Sequence, residues 1–403
     1  MVEHLITLIS VAGFIFAWII VLYFTYTVSY SFILSVAGYF YKLPTVDEKK
    51  PKRKIAVFIP AYKEDEVILE VARKATHHNY PKDKFDVVVI ADSLRKETLE
   101  KLGLIERLIL VKVDFEISTK VKALNKALNK IDGHYDIGVI LDADNVMQDD
   151  FLNEVSAYFN EDHQAIQGRR MAKNKNSNMA VLDGLSEAIN NHIYREGTSA
   201  LGLSCSFIGS GMAIEYNLMK STLSEMESVG GFDREMEVRL IGKGHKVHYL
   251  KSAIILDEKV ENTKVFANQR RRWIFSQYHY LFKELKPGIK KLFRGDFVYF
   301  NSSVLRNIQL PRLINIGLLF VIVIGSLLMP ELMGFPTLVW LALLTILTLS
   351  NVIAVPRSFY TKDLLIALLS LPKVFFIMFL LLFRLRGANK SFIHTPHNKN
   401  TNE

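Results

Sequence analysis

Three stretches of this chain carry no formal charge: residues 5–41, 313–330 and 332–356. Each reaches the ~18–20 residues that cross a bilayer. They frame a charged middle segment, so any fold must place one water-soluble domain between membrane-seeking helices. The first run is too long for a signal-peptide core and is followed by no small-residue cleavage site. It also exceeds one upright span at ~1.5 Å per residue. No Gly, Pro or Asn turn divides it, so one tilted helix, or one continuing along the interface, is predicted. A fourth apolar stretch, 364–383, contains Pro372 and Lys373. A mid-bilayer Lys costs several kcal/mol, so an interfacial or re-entrant segment is predicted there.

Basic residues give the orientation. Lys42, Lys49, Lys50, Lys52, Arg53 and Lys54 follow the first run, Arg357 and Lys362 follow the third, and Arg384, Arg386 and Lys390 come later. Only Glu331 lies between the second and third runs. The positive-inside rule then predicts an integral plasma-membrane protein with its middle domain and C-terminus in the cytoplasm. The net charge of +9 suits anionic membrane lipid. No motif points to nucleic acid. The single Cys205 excludes an internal disulfide and a Cys-based zinc site.

The predicted organisation is an N-terminal membrane helix (1–41), a cytoplasmic domain (52–285), an amphipathic interfacial region (286–312), two membrane helices (313–356), and an interfacial or re-entrant segment with a basic tail (357–403). Lys286-Pro287-Gly288 is expected to end the helix before it. Phe297, Val298, Phe300 and Val304 give the next stretch its apolar face.

The middle domain reads as an open α/β sheet. Runs at 55–59, 87–90, 108–113 and 137–141 are β-branched and nearly continuous, as parallel strands buried on both faces are. Helical stretches separate them at 65–77 and from Lys120, where Val121, Leu124 and Leu128 share a face. Neither a G-x-G-x-x-G loop nor a Walker loop follows the first strand, which disfavours dehydrogenases and P-loop NTPases. The strand ends instead deliver polar groups. The first ends Pro60-Ala61-Tyr62-Lys63-Glu64, the second Ala91-Asp92-Ser93, and the fourth Leu141-Asp142-Ala143-Asp144. Ligands of such sheets bind beyond these carboxyl ends. Asp142 and Asp144 stand two apart, so they face the same way, and such a pair can hold a hard divalent cation that clamps a diphosphate. Taken singly, the aspartates also suit an Asx turn, Asp92 a helix cap and Lys120 a solvated charge.

Together these residues resemble family-2 glycosyltransferases of the GT-A fold, in the membrane-embedded group of hyaluronan, chitin and cellulose synthases. Ile59-Pro60-Ala61-Tyr62-Lys63-Glu64 resembles that family's P-A-Y-N-E segment, and Asp92 its base-contacting aspartate. Thr119-Lys120-Val121-Lys122-Ala123-Leu124-Asn125 resembles G-K-A-x-A-L-N, with Thr119 in place of Gly. Leu141-Asp142-Ala143-Asp144 matches D-x-D, and Gln269-Arg270-Arg271-Arg272-Trp273 matches Q-x-x-R-W. The family's Glu-Asp pair is not intact, because Phe232 precedes Asp233.

The resemblance implies a membrane-integral, inverting transferase with a nucleotide-sugar-binding GT-A domain (Rossmann-like α/β) inserted between transmembrane helices. The donor, a UDP-sugar by this resemblance, is expected at Pro60, Ala61, Tyr62, Glu64, Asp92, Lys120 and Asp142. Mg²⁺ or Mn²⁺ is expected on Asp144 and Asp142. Asp233 is the implied catalytic base, with Glu235 in reserve. Gly209, Ser210, Gly211, Gln269, Arg272 and Trp273 are implied at the acceptor and diphosphate. The acceptor is a growing polysaccharide, which Q-x-x-R-W favours, or a lipid or lipid-linked glycan extended once, which the few spans favour unless chains oligomerise. Two rivals stand beside this reading: a transporter or lipid-binding protein with a regulatory α/β domain, and a nucleotidyltransferase using the paired aspartates.

Overall fold

A computed structural model describes residues 2–45, 51–160, 162–228 and 230–385. The expected Lys49, Lys50, Arg386 and Lys390 charges and the C-terminal tail lie outside the described residues. The strands, in chain order, are β1 (Ile55–Tyr62), β2 (Phe85–Asp92), β3 (Leu108–Val113), β4 (Ile137–Ile140), β5 (Val146–Met147), β6 (Ala165–Ala172), β7 (Met212–Glu215) and β8 (His248–Asp257). They form one mixed sheet in the order β3-β2-β1-β4-β7-β6-β8-β5.

The first four strands are parallel, and β1, β2 and β4 are buried on both faces, while β3 is the half-exposed edge. Side chains of β1 alternate between two cores. Ile55, Val57 and Ile59 meet the helices Ile68–Thr76 and Phe151–Tyr158, while Ala56 and Phe58 meet Lys120–Leu128, Tyr216–Ser224 and Phe232–Gly242. Each fully buried Ile or Phe contributes about 1.5–3 kcal/mol, which fixes the strand register, since a one-residue slip exchanges the faces.

Unequal strand lengths make the notch that matters. β4 pairs with β1 only from Ile55 to Phe58 and ends at Ile140, whereas β1 continues beside β2 to Tyr62 and Asp92. Pro60, which lacks a backbone donor, sits where β1 has lost its β4 neighbour. The antiparallel β7 begins at the same level, with Met212 opposite Ile140, so residues 209–211 reach the notch from the opposite direction.

The other half of the sheet is irregular. β6 shifts register against β8 between Gly168 and Arg169, a bulge that re-aims the side chains after it. The helix Asn178–Asn191 then widens into a π turn at His192–Gly197, whose Gly197 packs against the Leu34 carbonyl of the N-terminal helix.

That N-terminal helix spans Val2–Gly38, and its Val11–Gly38 part is long and apolar enough to cross a membrane. Val21, Phe24 and Val28 pack against Leu319 and Val323 of the helix Arg312–Leu328 and against Trp340, Leu343 and Leu347 of Thr337–Ile353. These two helices have 17 residues each, about 26 Å at ~1.5 Å per residue against a ~30 Å hydrocarbon core. Arg312–Leu328 reaches spanning length only when counted with Phe297–Ile308, from which it bends by 52°. The stretch around Pro372 is broken too: Lys362–Leu368 and Leu371–Leu382 meet at 48°.

One boundary needs correction. The helix expected to end at Lys286-Pro287-Gly288 runs unbroken from Thr263 to Phe293. Packing overrides the local helix-breaking tendency of proline. Gly288 lies so close to the 301–305 turn that a Cβ there would sit 2.5 Å from Val304 and 2.9 Å from Ser303 Oγ.

Candidate active site

The notch collects the polar groups expected from the strand ends. At the tips of β1 and β2 the residues Lys63 and Ser93 are left-handed, with φ of 58° and 56°. Non-glycine residues adopt this at a cost of order 1 kcal/mol or more, and such strain gathers at functional sites. Lys63 N donates to the Asp92 carbonyl at 3.1 Å. Asp92 is 3 % exposed and its carboxylate accepts from Ser93 Oγ at 3.0 Å. Pro60, Ala61, Tyr62 and Glu64 line the same edge through the Tyr62–Asp92 pairing and the turn that follows.

Lys120 opens the next helix, which Thr119 caps by accepting from Lys122 N at 3.1 Å. The Lys120 ammonium bonds the Asp142 carboxylate and donates to the Gly209 carbonyl at 2.6 Å. Asp142 N donates to Ser210 Oγ at 3.0 Å, and Gly211 N to the Ile140 carbonyl at 2.9 Å. Thus Lys120, Asp142 and the Gly209-Ser210-Gly211 turn form one contiguous unit.

Asp144, one turn further on, is partly exposed. Burial among protein groups, then the nearby carboxylates of Asp257 and Asp142, push its carboxyl well above the usual range. Asn145 is fully buried and bridges two of them, donating to Asp144 Oδ1 at 3.0 Å and to Asp257 Oδ1 at 2.9 Å. Its own Oδ1 is buried without a hydrogen-bond partner among the described residues. Behind the acids stands a row of fixed cations. Lys259 Nζ lies 2.6 Å from Asp257, and Arg170 lies 3.8 Å from Asp257 and 2.6 Å from Glu187. Burial works against the Asp257 carboxylate, but Lys259 and Arg170 outweigh it and hold it low.

Asp257, Asn145, Arg170, Glu187 and Lys259 were not among the residues expected from sequence. Asp257 carried a readable signal. Ala253-Ile254-Ile255-Leu256-Asp257 is an apolar run ending in a carboxylate, the same pattern as Gly138-Val139-Ile140-Leu141-Asp142.

Asp233 reaches the site from another segment. It lies in the first turn of the helix Phe232–Gly242, after Gly231 at φ 70°. The Phe232 ring lies 4.8 Å from Lys120 Nζ, which places this helix start beside the Lys120–Asp142 pair. Among the described residues, the Asp233 carboxylate makes no hydrogen bond or salt bridge. Its alternatives are occupied. Glu235 is 5 % exposed and binds Arg239 at 2.8 Å and the Tyr280 hydroxyl at 3.2 Å. Glu237 is 1 % exposed and binds Arg306 at 2.6 Å.

The Q-x-x-R-W segment lies in the helix Thr263–Phe293. A Cβ on Gly231 would sit 2.9 Å from both Ser276 and Tyr280, so this helix touches the backbone just before Asp233. Gln269, Trp273, Ser276 and Tyr280 share that face by helical spacing. Trp273 is 39 % exposed, with the Arg270 guanidinium 4.1 Å from its ring centre, and Arg270 pairs with Asp183. Gln269 Oε1 is buried without a partner among the described residues. Burial disfavours the charge on Arg272.

Two cavities border these elements. One of about 410 Å³ is lined by Glu227, Ser228, Glu235, Phe275, His279 and Lys283. The other, of about 560 Å³, is lined by Thr119, Lys122, Asn125, Met226 and Glu227. They share Glu227, and neither is lined by Asp144 or Asp233.

A divalent cation suits the donor chemistry here. Asp144 lies among other carboxylates, and the buried Asn145 Oδ1 has no hydrogen-bond partner among the described residues. Among the described residues, however, no three His, Cys, Asp or Glu side chains close on one point. Asp144 and Asp142 are the residues that would hold such an ion, with oxygen ligands from substrate or water completing the set.

The comparisons agree with this architecture. The Bacillus subtilis (strain 168) protein described as probable glycosyltransferase YdaM is 23 % identical over 272 residues, 63 % of this chain and 63 % of that relative's length. The mannosyltransferase PcManGT from Pyrobaculum calidifontis, solved in complex with GDP-Man and Mn²⁺, superposes with a TM-score of 0.55. That match covers 89 % of this chain and 99 % of that one at 18 % identity, which shows the shared fold. The family described as "Glycosyltransferase like family 2" matches residues 51–276, more than half of the chain, and this protein belongs to it.

Proposed function

We propose that this chain is a membrane-integral, inverting glycosyltransferase that moves a sugar from a nucleotide-sugar donor to an acceptor hydroxyl or phosphate at the cytoplasmic face of the membrane. The observation that carries this reading is the meeting of Lys120, Asp142 and the Asp233-bearing helix at one notch, with Asp144 and Asp257 beside it. Asp92 and the β1 tip receive the nucleoside. Lys120, now on Asp142, is placed to turn toward phosphate. Asp142 and Asp144 would hold Mg²⁺ or Mn²⁺, which when bound would neutralise charge on a departing diphosphate.

Asp233 takes the proton of the acceptor as its oxygen bonds to the anomeric carbon. The bond from that carbon to the diphosphate oxygen breaks on the opposite side, which inverts the centre. A carboxylate free of salt bridges suits this work, whereas Glu235 and Glu237 are spent on Arg239 and Arg306. The exposed face of Trp273 offers a surface on which a sugar ring stacks. Gly209, Ser210, Gly211, Gln269 and Arg272 border the acceptor and diphosphate path.

The donor base is open to a direct screen. The sequence resemblance favours UDP, and the structural relative was solved with GDP-Man. Nucleotide release is measured over UDP- and GDP-sugars, with Mn²⁺, with Mg²⁺ and with chelator. Metal-dependent release with one donor is expected. No release from any donor, with an intact fold, sinks the reading and favours a regulatory α/β domain. A product ladder distinguishes polymer growth from single addition. The short set of apolar helices among the described residues favours single addition.

A further inference from the structure

Beside Asp233, the same helix borders a buried region rich in hydrogen-bond donors, since Glu237 stands one turn on from Asp233. Arg234 follows Asp233 and donates to Asn307 Oδ1 at 2.6 Å. Arg306 is 9 % exposed. One of its nitrogens binds Glu237, and its Nε and Nη1 have no partner among the described residues. Gln309, 4 % exposed, accepts from the Tyr194 hydroxyl at 3.3 Å, and its Nε2 is likewise unpartnered. Arg312 donates through Nη2 to Ser186, and its buried Nη1 is unpartnered. Arg234 reaches Asn307 and Tyr194 reaches Gln309, so these side chains gather on the 306–312 segment that also carries Arg306 and Arg312. Glu237 is the one carboxylate in salt-bridge contact with any of them among the described residues.

Buried donors are almost always satisfied, and an unbalanced buried cation is costly. Four unpartnered N–H positions on three side chains, beside surplus positive charge, therefore call for an anion. Several guanidiniums match a phosphate better than a single carboxylate, because their planar forks donate to several oxygens at once.

The location says what else the ligand carries. Gln309 sits in the 52° bend where Phe297–Ile308 meets Arg312–Leu328. Arg312 opens the apolar helix, whose Phe320, Val321, Ile324, Leu327 and Leu328 are exposed. Tyr23 and Tyr30 of the N-terminal helix close the other side through Asn315 and Asn301, each at 2.9 Å. A phosphate held here has an apolar flank beside it for a hydrocarbon tail.

We propose that the region bounded by Tyr194, Arg234, Arg306, Gln309 and Arg312 binds the phosphate headgroup of an anionic lipid. Arg234 adjoins Asp233, so this lipid is the acceptor. That last step, unlike the phosphate site itself, rests on the glycosyltransferase reading.

The test uses the full chain in phosphatidylcholine nanodiscs. Binding is titrated with phosphatidic acid as the lipid monophosphate, with phosphatidylglycerol as a phosphodiester control, and with inorganic phosphate in solution. The variants are Arg312→Gln and Gln309→Leu, each checked for an unchanged thermal transition without ligand. Nucleotide-sugar binding is measured on the same samples. The expected result is saturable binding of phosphatidic acid that weakens about tenfold in each variant, with donor binding unchanged. Inorganic phosphate binding as tightly as phosphatidic acid overturns the lipid assignment. So does equal lipid binding by variants and wild type, or no saturable binding. Should the wild type bind lipid phosphate but no nucleotide sugar, the transferase reading fails and the lipid site stands.

Discussion

Carboxylates occur in two settings in this chain. Glu187 and Glu237 each face guanidinium: Glu187 touches Arg170, Arg195 and Lys259, and Glu237 touches Arg306. Asp144 faces other carboxylates, and Asp233 lies beside the Lys120–Asp142 pair without a salt bridge of its own among the described residues. The first set is ion-paired within the protein and holds elements together. In the second, Asp144 lies among like charges, with Asp257 and Asp142 as its main electrostatic neighbours. The paired acids are buried and the notch acids partly exposed, so the two settings differ in both burial and neighbouring charge.

Removing one acid of each kind tests that contrast. The largest effect is expected for Asp144→Asn. Losing an anionic ligand forfeits several kcal/mol of transition-state stabilisation, about 10³-fold or more in turnover. In metal-free buffer the same variant should melt at a higher temperature than wild type, since carboxylate repulsion is relieved. An active Asp144→Asn enzyme, or one that melts lower, breaks the contrast.

Next comes Asp233→Asn, expected to lower turnover by about 10²–10⁴ while nucleotide-sugar binding and melting temperature stay put. Full activity in this variant removes Asp233 from its role. Glu237→Gln reverses the pattern. Leaving Arg306 uncompensated costs roughly 3–5 kcal/mol of stability, read as a lower unfolding midpoint.

The smallest effect is a pH dependence. Burial works against the Glu187 carboxylate, yet Arg170, Lys259 and Arg195 hold it well below the ordinary value. A lowered folded-state value contributes stability that is present above the unfolded glutamate value of about 4.3 and lost as pH falls below it. Glu187→Gln should therefore flatten the acid limb of a stability–pH curve and leave its slope above pH ~6 unchanged. A steeper acid limb contradicts the assignment.

The sequence made one half of the domain legible and hid the other for physical reasons. Strands β1, β2 and β4 are buried on both faces, so they appear as apolar runs, and the tips of β2 and β4 announce Asp92 and Asp142. β6 reads Ala165-Ile166-Gln167-Gly168-Arg169-Arg170 and does not look like a core strand. Gln167 is nonetheless fully buried, because its amide donates to the Gly168 and Ser210 carbonyls at 2.9 Å each. Partners distant in sequence satisfy such residues, and no local pattern reports them. The same holds for the arginines near Tyr194, whose neighbours come from segments more than 30 residues apart. Pro287 misled for the converse reason, as a strong local signal was overruled by contact with the 301–305 turn.

Gly231 carries a wider consequence. Main chain, not a side chain, meets Ser276 and Tyr280 there, with no room for even a methyl group. The spacing between Asp233 and the tryptophan helix is thereby set by one bare stretch of main chain against a serine and a tyrosine side chain. Neighbouring side chains can drift over generations without shifting Asp233 along that helix.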